Sequence, residues 1–145
     1  MPEQEARADF RFIVRDNEAA AARALQERNF VHAYFLIHAL VESLLRLFLK
    51  DQGERTTFND LISNYSRFLK EQRYPEPEFV DELTTFNQRR NRIVHQLWRR
   101  GFSLTNTQAE AAARAAVTLY GLFIEWLETF DPEITTIGFE YDDGA

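Results

Sequence analysis

Apolar residues recur at intervals of three and four along almost the whole chain, and the breaks in that rhythm divide it into five helical runs. Residues 3–28 contain neither proline nor glycine. Phe10, Ile13, Val14, Ala20, Ala21, Ala24 and Leu25 keep helical spacing there, which predicts one long helix, or two with a break at Asp16–Asn17. Asn29 is the expected left-handed stop. Phe30 to Lys50 is the most hydrophobic run. Its length would suit a membrane span, but His32, His38, Glu42 and Arg46 lie within it and point to a central core helix. Gly53 is the expected cap of that helix.

A third helix starts at Thr57 or Thr56 and runs through about Gln72, with Phe58, Leu61, Ile62, Tyr65 and Phe68/Leu69 inward. Tyr74-Pro75-Glu76-Pro77 ends it, because each proline disfavours helix in the residue before it. The fourth helix starts near Pro77, carries Glu78, Asp81 and Glu82 in its first turns and stops by Gly101. Thr107 with Glu110 forms a capping box for a fifth helix reaching about Phe130. Asp131-Pro132 closes the helical part. From Thr135 to Tyr141 the pattern alternates loosely and fits a short strand or an ordered extension. The expected fold is all-α: an antiparallel bundle of four to five helices over residues 1–130, with an acidic tail over 131–145.

Charge changes this picture at one place. The net charge is -6, yet Arg89, Arg90, Arg92, Arg99 and Arg100 fall in a window that contains no acid. After Arg114 no basic residue follows, whereas seven acids do. A local basic patch on an acidic protein suits a phosphate-bearing target better than broad coating of a duplex. With no cysteine and three histidines, thiol catalysis, disulfides and thiolate metal sites are excluded, and no ligand cluster for a metal is visible. The polar, acidic N-terminus does not read as a signal peptide, so the expected location is the cytoplasm.

The chemistry concentrates in Arg89-Arg90-Asn91-Arg92-Ile93-Val94-His95-Gln96-Leu97-Trp98. On the stripe Phe79, Leu83, Phe86, Ile93, Leu97, the vacant place is position 90. An arginine there is expected to need an acid, an interface or an anion. Asn91 and His95 are four apart and share a face. A cation, an amide and an imidazole on adjacent faces can grip a phosphate and move a proton near it. On the second helix His38, Glu42 and Arg46 form a polar stripe. It either pairs with itself or reaches across to Arg90.

The order of elements, with Arg28-Asn29-Phe30 at the first turn, Glu42 in mid-helix, the stop at Gly53 and then Arg90-Asn91 followed after three residues by His95, resembles the HEPN superfamily (higher eukaryote and prokaryote nucleotide-binding domains). The likeness spans roughly residues 16–130. It implies a metal-independent endoribonuclease without cofactor, often a toxin of a toxin-antitoxin or antiphage system, acting as a homodimer in which two motifs line one cleft. Arg90, Asn91 and His95 then hold the catalytic places, and Arg89, Arg92, Arg99 and Arg100 are expected to hold RNA phosphates. A dimer contact is expected to bury Leu97 and Trp98. One branch of the family is silenced when an antitoxin modifies a tyrosine two residues after the histidine. Leu97 stands there, so any antitoxin partner must act differently. The rival readings are a non-catalytic nucleotide-binding or scaffolding dimer of the same type, and a small helical adaptor.

Overall fold

The computed structural model describes residues 2–51, 53 and 55–139, with side chains from residue 10 onward. Among the described residues there are seven helices and no strand: α1 (Pro2–Gln26), α2 (Phe30–Leu49), α3 (Phe58–Glu71), α4 (Val80–Arg100), α5 (Phe102–Gln108), α6 (Glu110–Glu128) and α7 (Ile134–Ile137). Apolar on most of its circumference, α2 takes the centre and packs against α1, α3, α4, α5 and α6. Tyr34, Ile37, Leu40, Val41, Leu44 and Leu45 are buried along it. By length and hydropathy α2 could cross a membrane. Here half of it is buried inside the bundle.

Three helices end in the same way, and two of them not at the residues composition suggests. At the end of α1 the Asn29 amide bonds to the Ala24 carbonyl (2.8 Å) and the Arg28 amide to that of Leu25 (3.1 Å). This is a Schellman turn, and it places Arg28, not Asn29, in the left-handed region at φ 58°. After α2 the left-handed residue is Lys50 (φ 56°), with Asp51 bonded back to Arg46. Gly53 lies beyond the cap. Arg73 (φ 61°) ends α3 through the same pair of bonds to Lys70 and Leu69. A basic side chain at a helix C-terminus meets the negative end of the dipole, which partly offsets the steric cost of a Cβ there.

The start of α3 falls at the expected Thr57, while those of α4 and α6 differ. Thr57 and Asp60 form a reciprocal capping box at α3 (3.0 and 3.1 Å). Helix α4 starts at Val80, not near Pro77. The turn before it is pinned by the Tyr65 hydroxyl donating to the Glu78 carbonyl (2.6 Å) and by Phe79 packing on Phe123. Thr107 does not cap the last long helix. It lies inside α5, where its hydroxyl donates to the Ser103 carbonyl, and α6 follows directly at Ala109.

Helix α5, which begins just after the expected stop at Gly101 and includes the expected cap residue Thr107, caps α2 from outside. The Asn106 amide oxygen accepts from the Val31 N–H (3.0 Å), while its NH2 donates to the Arg28 carbonyl (2.9 Å). Asn29, the residue at the N-cap position, makes no such bond. Asn106→Ala is therefore expected to lower stability by about 1–2 kcal/mol. Urea unfolding measures this, and an unchanged midpoint would remove the capping role.

From residue 131 to 139 the chain folds onto the bundle. Ile134 and Phe139 are fully buried, and Phe139 meets Phe10 edge-on at 5.6 Å. Between them Gly138 has φ 133° and lies against Arg11, where a Cβ would come within 3.3 Å of backbone. Thus the extension is a helical turn clamped on α1, not a strand. Tyr141 and the last acids fall outside the described residues.

Candidate functional site

Position 90 does not carry a buried charge. Along α4 the inward residues are Leu83, Phe86, Asn87 and Ile93, so the polar seat on the seam belongs to Asn87. Arg90, one turn on, points to solvent. Its guanidinium donates to the Asn91 amide oxygen at 3.2 Å. The cost of burying an unpaired arginine therefore does not arise.

Asn87 is only 8% exposed and organises what lies beneath. Its amide oxygen pairs with His38 Nε2 at 3.0 Å, and its NH2 donates to the Asn59 amide oxygen at 3.2 Å. That direction makes His38 Nε2 the donor and fixes the neutral tautomer protonated at that nitrogen. The His38 ring is held between Phe58 (4.5 Å) and Phe86 (5.1 Å, nearly parallel). Alongside it the Tyr34 hydroxyl donates to the Phe86 carbonyl, tying α2 to α4.

Burial pushes the His38 pKa below its ordinary value. The Asn87 bond opposes this, the Arg90 charge adds to it, and Glu42 opposes it more weakly. In the unfolded chain His38 takes up a proton as the pH falls below about 6.5. In the folded chain it stays neutral to lower pH. The stability present above that value is lost as pH falls toward the depressed folded pKa. A thermal midpoint that drops between pH 7 and pH 5, with a shallower drop for His38→Gln, is the expected result. Identical slopes would contradict it.

A cavity of about 540 Å³ opens between α2, the start of α3 and α4, with His38, Glu42, Ser43, Asn59, Arg90 and Asn91 on its wall. Arg90 thus shares a cavity with both candidate partners on α2 without a direct bond to either. Glu42 is paired with Arg46 (3.2 Å), so these two satisfy each other while His38 turns to Asn87. Arg46 also donates to the carbonyls of Gly53 (2.9 Å) and Thr56 (2.6 Å) and faces Asp51 at 3.6 Å. It staples the α2–α3 connection and takes no part in the cavity.

Comparison of the chain with known protein families, with curated proteins and with solved structures finds no match. Its chemistry has to be read from its own geometry.

His95 does not line the cavity. It is exposed one turn further along α4, with its Nε2 3.4 Å from an Arg99 guanidinium nitrogen and its ring meeting Trp98 edge-on at 5.0 Å. Arg89 and Arg92 face a third region, a cleft of about 500 Å³ between α4 and α6 floored by Ala109, Ala112 and Ala115. Arg100 is exposed at the end of the helix. Leu97 packs against the chain's own core, whereas Trp98 is 72% exposed. One helix therefore distributes the motif over three faces: Arg90 and Asn91 at the polar cavity, His95 with Arg99 and Trp98 beside it, and Arg89 with Arg92 behind. Among the described residues no three histidine, aspartate or glutamate side chains converge as metal ligands would.

Sequence reasoning overlooked Asn87 and Asn59. Asn87 is four residues before Asn91 and next to Phe86 on the apolar stripe, and a polar residue at such a place is the signal that could have marked it.

Proposed function

We propose that the chain is a metal-independent endoribonuclease of the HEPN type, active as a homodimer whose two copies of Arg90 and His95 face one open cleft. The observation that supports this best is the exposure of Arg90, Asn91 and His95 on neighbouring turns of α4, inside a stretch from residue 83 to 109 that contains no acid. RNA supplies its own nucleophile. The 2'-oxygen attacks phosphorus while His95 accepts its proton. Arg90 balances the charge that builds on the phosphoryl oxygens, and Asn91 holds the Arg90 guanidinium in place through the 3.2 Å bond. The P–O5' bond then breaks, the 5'-oxygen takes a proton from water, and a 2',3'-cyclic phosphate remains.

Within one regular helix Arg90 and His95 are about 140° apart. A phosphate bridging them is best served by Arg90 of one protomer and His95 of the other. In the cell such an activity fits the toxin of a toxin-antitoxin or antiphage system, held in check by a cytoplasmic partner protein that does not need a tyrosine at position 97.

Incubation of purified protein with RNA in excess chelator tests the reading. Cleavage that persists and leaves cyclic phosphate ends is expected; activity lost with chelator and restored by magnesium would refute it. A second reading rests on a specific feature. The cavity beside Arg90 is lined by His38, Ser43 and Asn59 but not by His95, as suits a domain that binds a nucleotide without cutting RNA. Nucleotide binding unaffected by His95→Ala, with no cleavage by the wild type, would favour it.

A further inference from the structure

We propose that Trp98 is a nucleobase-stacking platform, so that the substrate of the His95 site is an unpaired stretch of RNA. The inference rests on the ribonuclease reading and adds to it the form of the RNA. Trp98 is 72% exposed, and Val94, one turn before it on the same face, is 39% exposed. Phe102, which opens α5, is 52% exposed. Large apolar side chains seldom stand this free on one short stretch without a partner.

Charge selects the partner. Arg99 and Arg100, next in the chain after Trp98, are exposed, and no acid lies between Glu82 and Glu110. A second copy of the chain seated directly on this face would bring like charges together with no acid from the stretch to pair them. A lipid surface would be met by one indole and no continuous apolar face. A single strand of RNA meets both halves of the surface, since phosphates pair with the arginines and a base lies flat on the indole. Duplex RNA keeps its bases stacked inside and offers only its backbone.

The position of Trp98 gives the stacking a consequence. The indole touches the His95 ring at 5.0 Å between centroids. A base resting on the free indole face holds its own ribose and phosphate at the next position on α4, where His95 and Arg99 stand. Stacking thereby sets which phosphate is presented for cleavage.

Tryptophan fluorescence of the full chain, titrated with short RNA whose 2'-hydroxyls are methylated, reads the contact without cleavage. The chain has two tryptophans. Trp126 is partly buried and donates to the Tyr65 hydroxyl at 2.8 Å, so quenching by ligand reports Trp98. Single strands are expected to quench and the matching duplex not. Trp98→Ala should weaken single-strand binding about 5- to 150-fold, the effect of losing one stacked base, whereas Trp98→Phe should keep most of the affinity. Equal quenching by duplex, or unchanged single-strand affinity in Trp98→Ala, would overturn the proposal. So would a dimer without RNA that dissociates in Trp98→Ala, since it would give the face to a second copy. The two readings fail separately. Quenching without any cleavage of natural RNA removes the ribonuclease and leaves the platform. Cleavage by Trp98→Ala at wild-type KM removes the platform and leaves the ribonuclease.

Discussion

His95→Ala is expected to lower the rate of RNA cleavage by about 10²- to 10⁴-fold, the usual worth of a positioned general base. Thermal stability should stay within about 0.5 kcal/mol of wild type, as for other surface changes. The two expectations belong together because His95 is exposed and its contacts are with Trp98 and Arg99, both also exposed. His38→Ala is the instructive contrast. His38 is held between Phe58 and Phe86 and bonded to Asn87, so its loss opens a hole and strands a buried amide. Activity then falls together with the thermal midpoint. Single-turnover cleavage beside a melting curve separates the two histidines. A His95→Ala protein that cuts RNA at the wild-type rate would end the catalytic assignment of that residue.

The helical character of the chain was legible because its apolar rhythm holds throughout each helical run. Leu61, Ile62, Tyr65 and Leu69 stand at helical spacing and are buried as that spacing requires. Helix ends were less legible, for a physical reason. Asn29 and Gly53 are the residues that adopt a left-handed conformation at least cost. The Schellman bonds nevertheless fall one residue earlier at Arg28 and three earlier at Lys50. The helix length set by packing decided the place, and propensity yielded. Helix α5 was missed because its reason lies elsewhere in the chain. Asn106 caps α2 some 75 residues away, and no local pattern carries such a bond.

Along α4 the helical placement of Arg90, Asn91 and His95 was legible, but the side each of them takes was not. A stripe drawn through Phe79, Leu83, Phe86, Ile93 and Leu97 passes through position 90, yet Phe79 lies outside the helix as its cap residue. The remaining inward residues Leu83, Phe86 and Ile93 still flank position 90, but the packing opens there into the cavity between α2, α3 and α4, so Arg90 is exposed. The His38–Asn87–Asn59 chain stood unread because each amide, taken alone, resembles a surface residue. Only the α2–α3–α4 packing brings the three together.

Mixing two inactive proteins is expected to restore cleavage. Arg90→Ala should lower activity by about 10²- to 10³-fold, as for loss of one group that stabilises transition-state charge, and His95→Ala by at least as much. Each is dead in both sites of its own dimer. When the two are mixed and allowed to exchange subunits, half of the dimers are mixed. Each mixed dimer holds Arg90 from one protomer opposite His95 from the other at one of its two sites, so about a quarter of wild-type activity returns. This follows from the placement of the two side chains on α4: Arg90 opens on the α2–α3 cavity, whereas His95 stands outside it with Trp98. Were both groups to serve a phosphate within one protomer, mixed dimers would contain no intact site and the mixture would stay as inactive as its parents. The measurement needs only the two variants, an exchange step and an RNA cleavage assay. A restored quarter places the phosphate between protomers, and no restoration returns the whole reaction to a single chain.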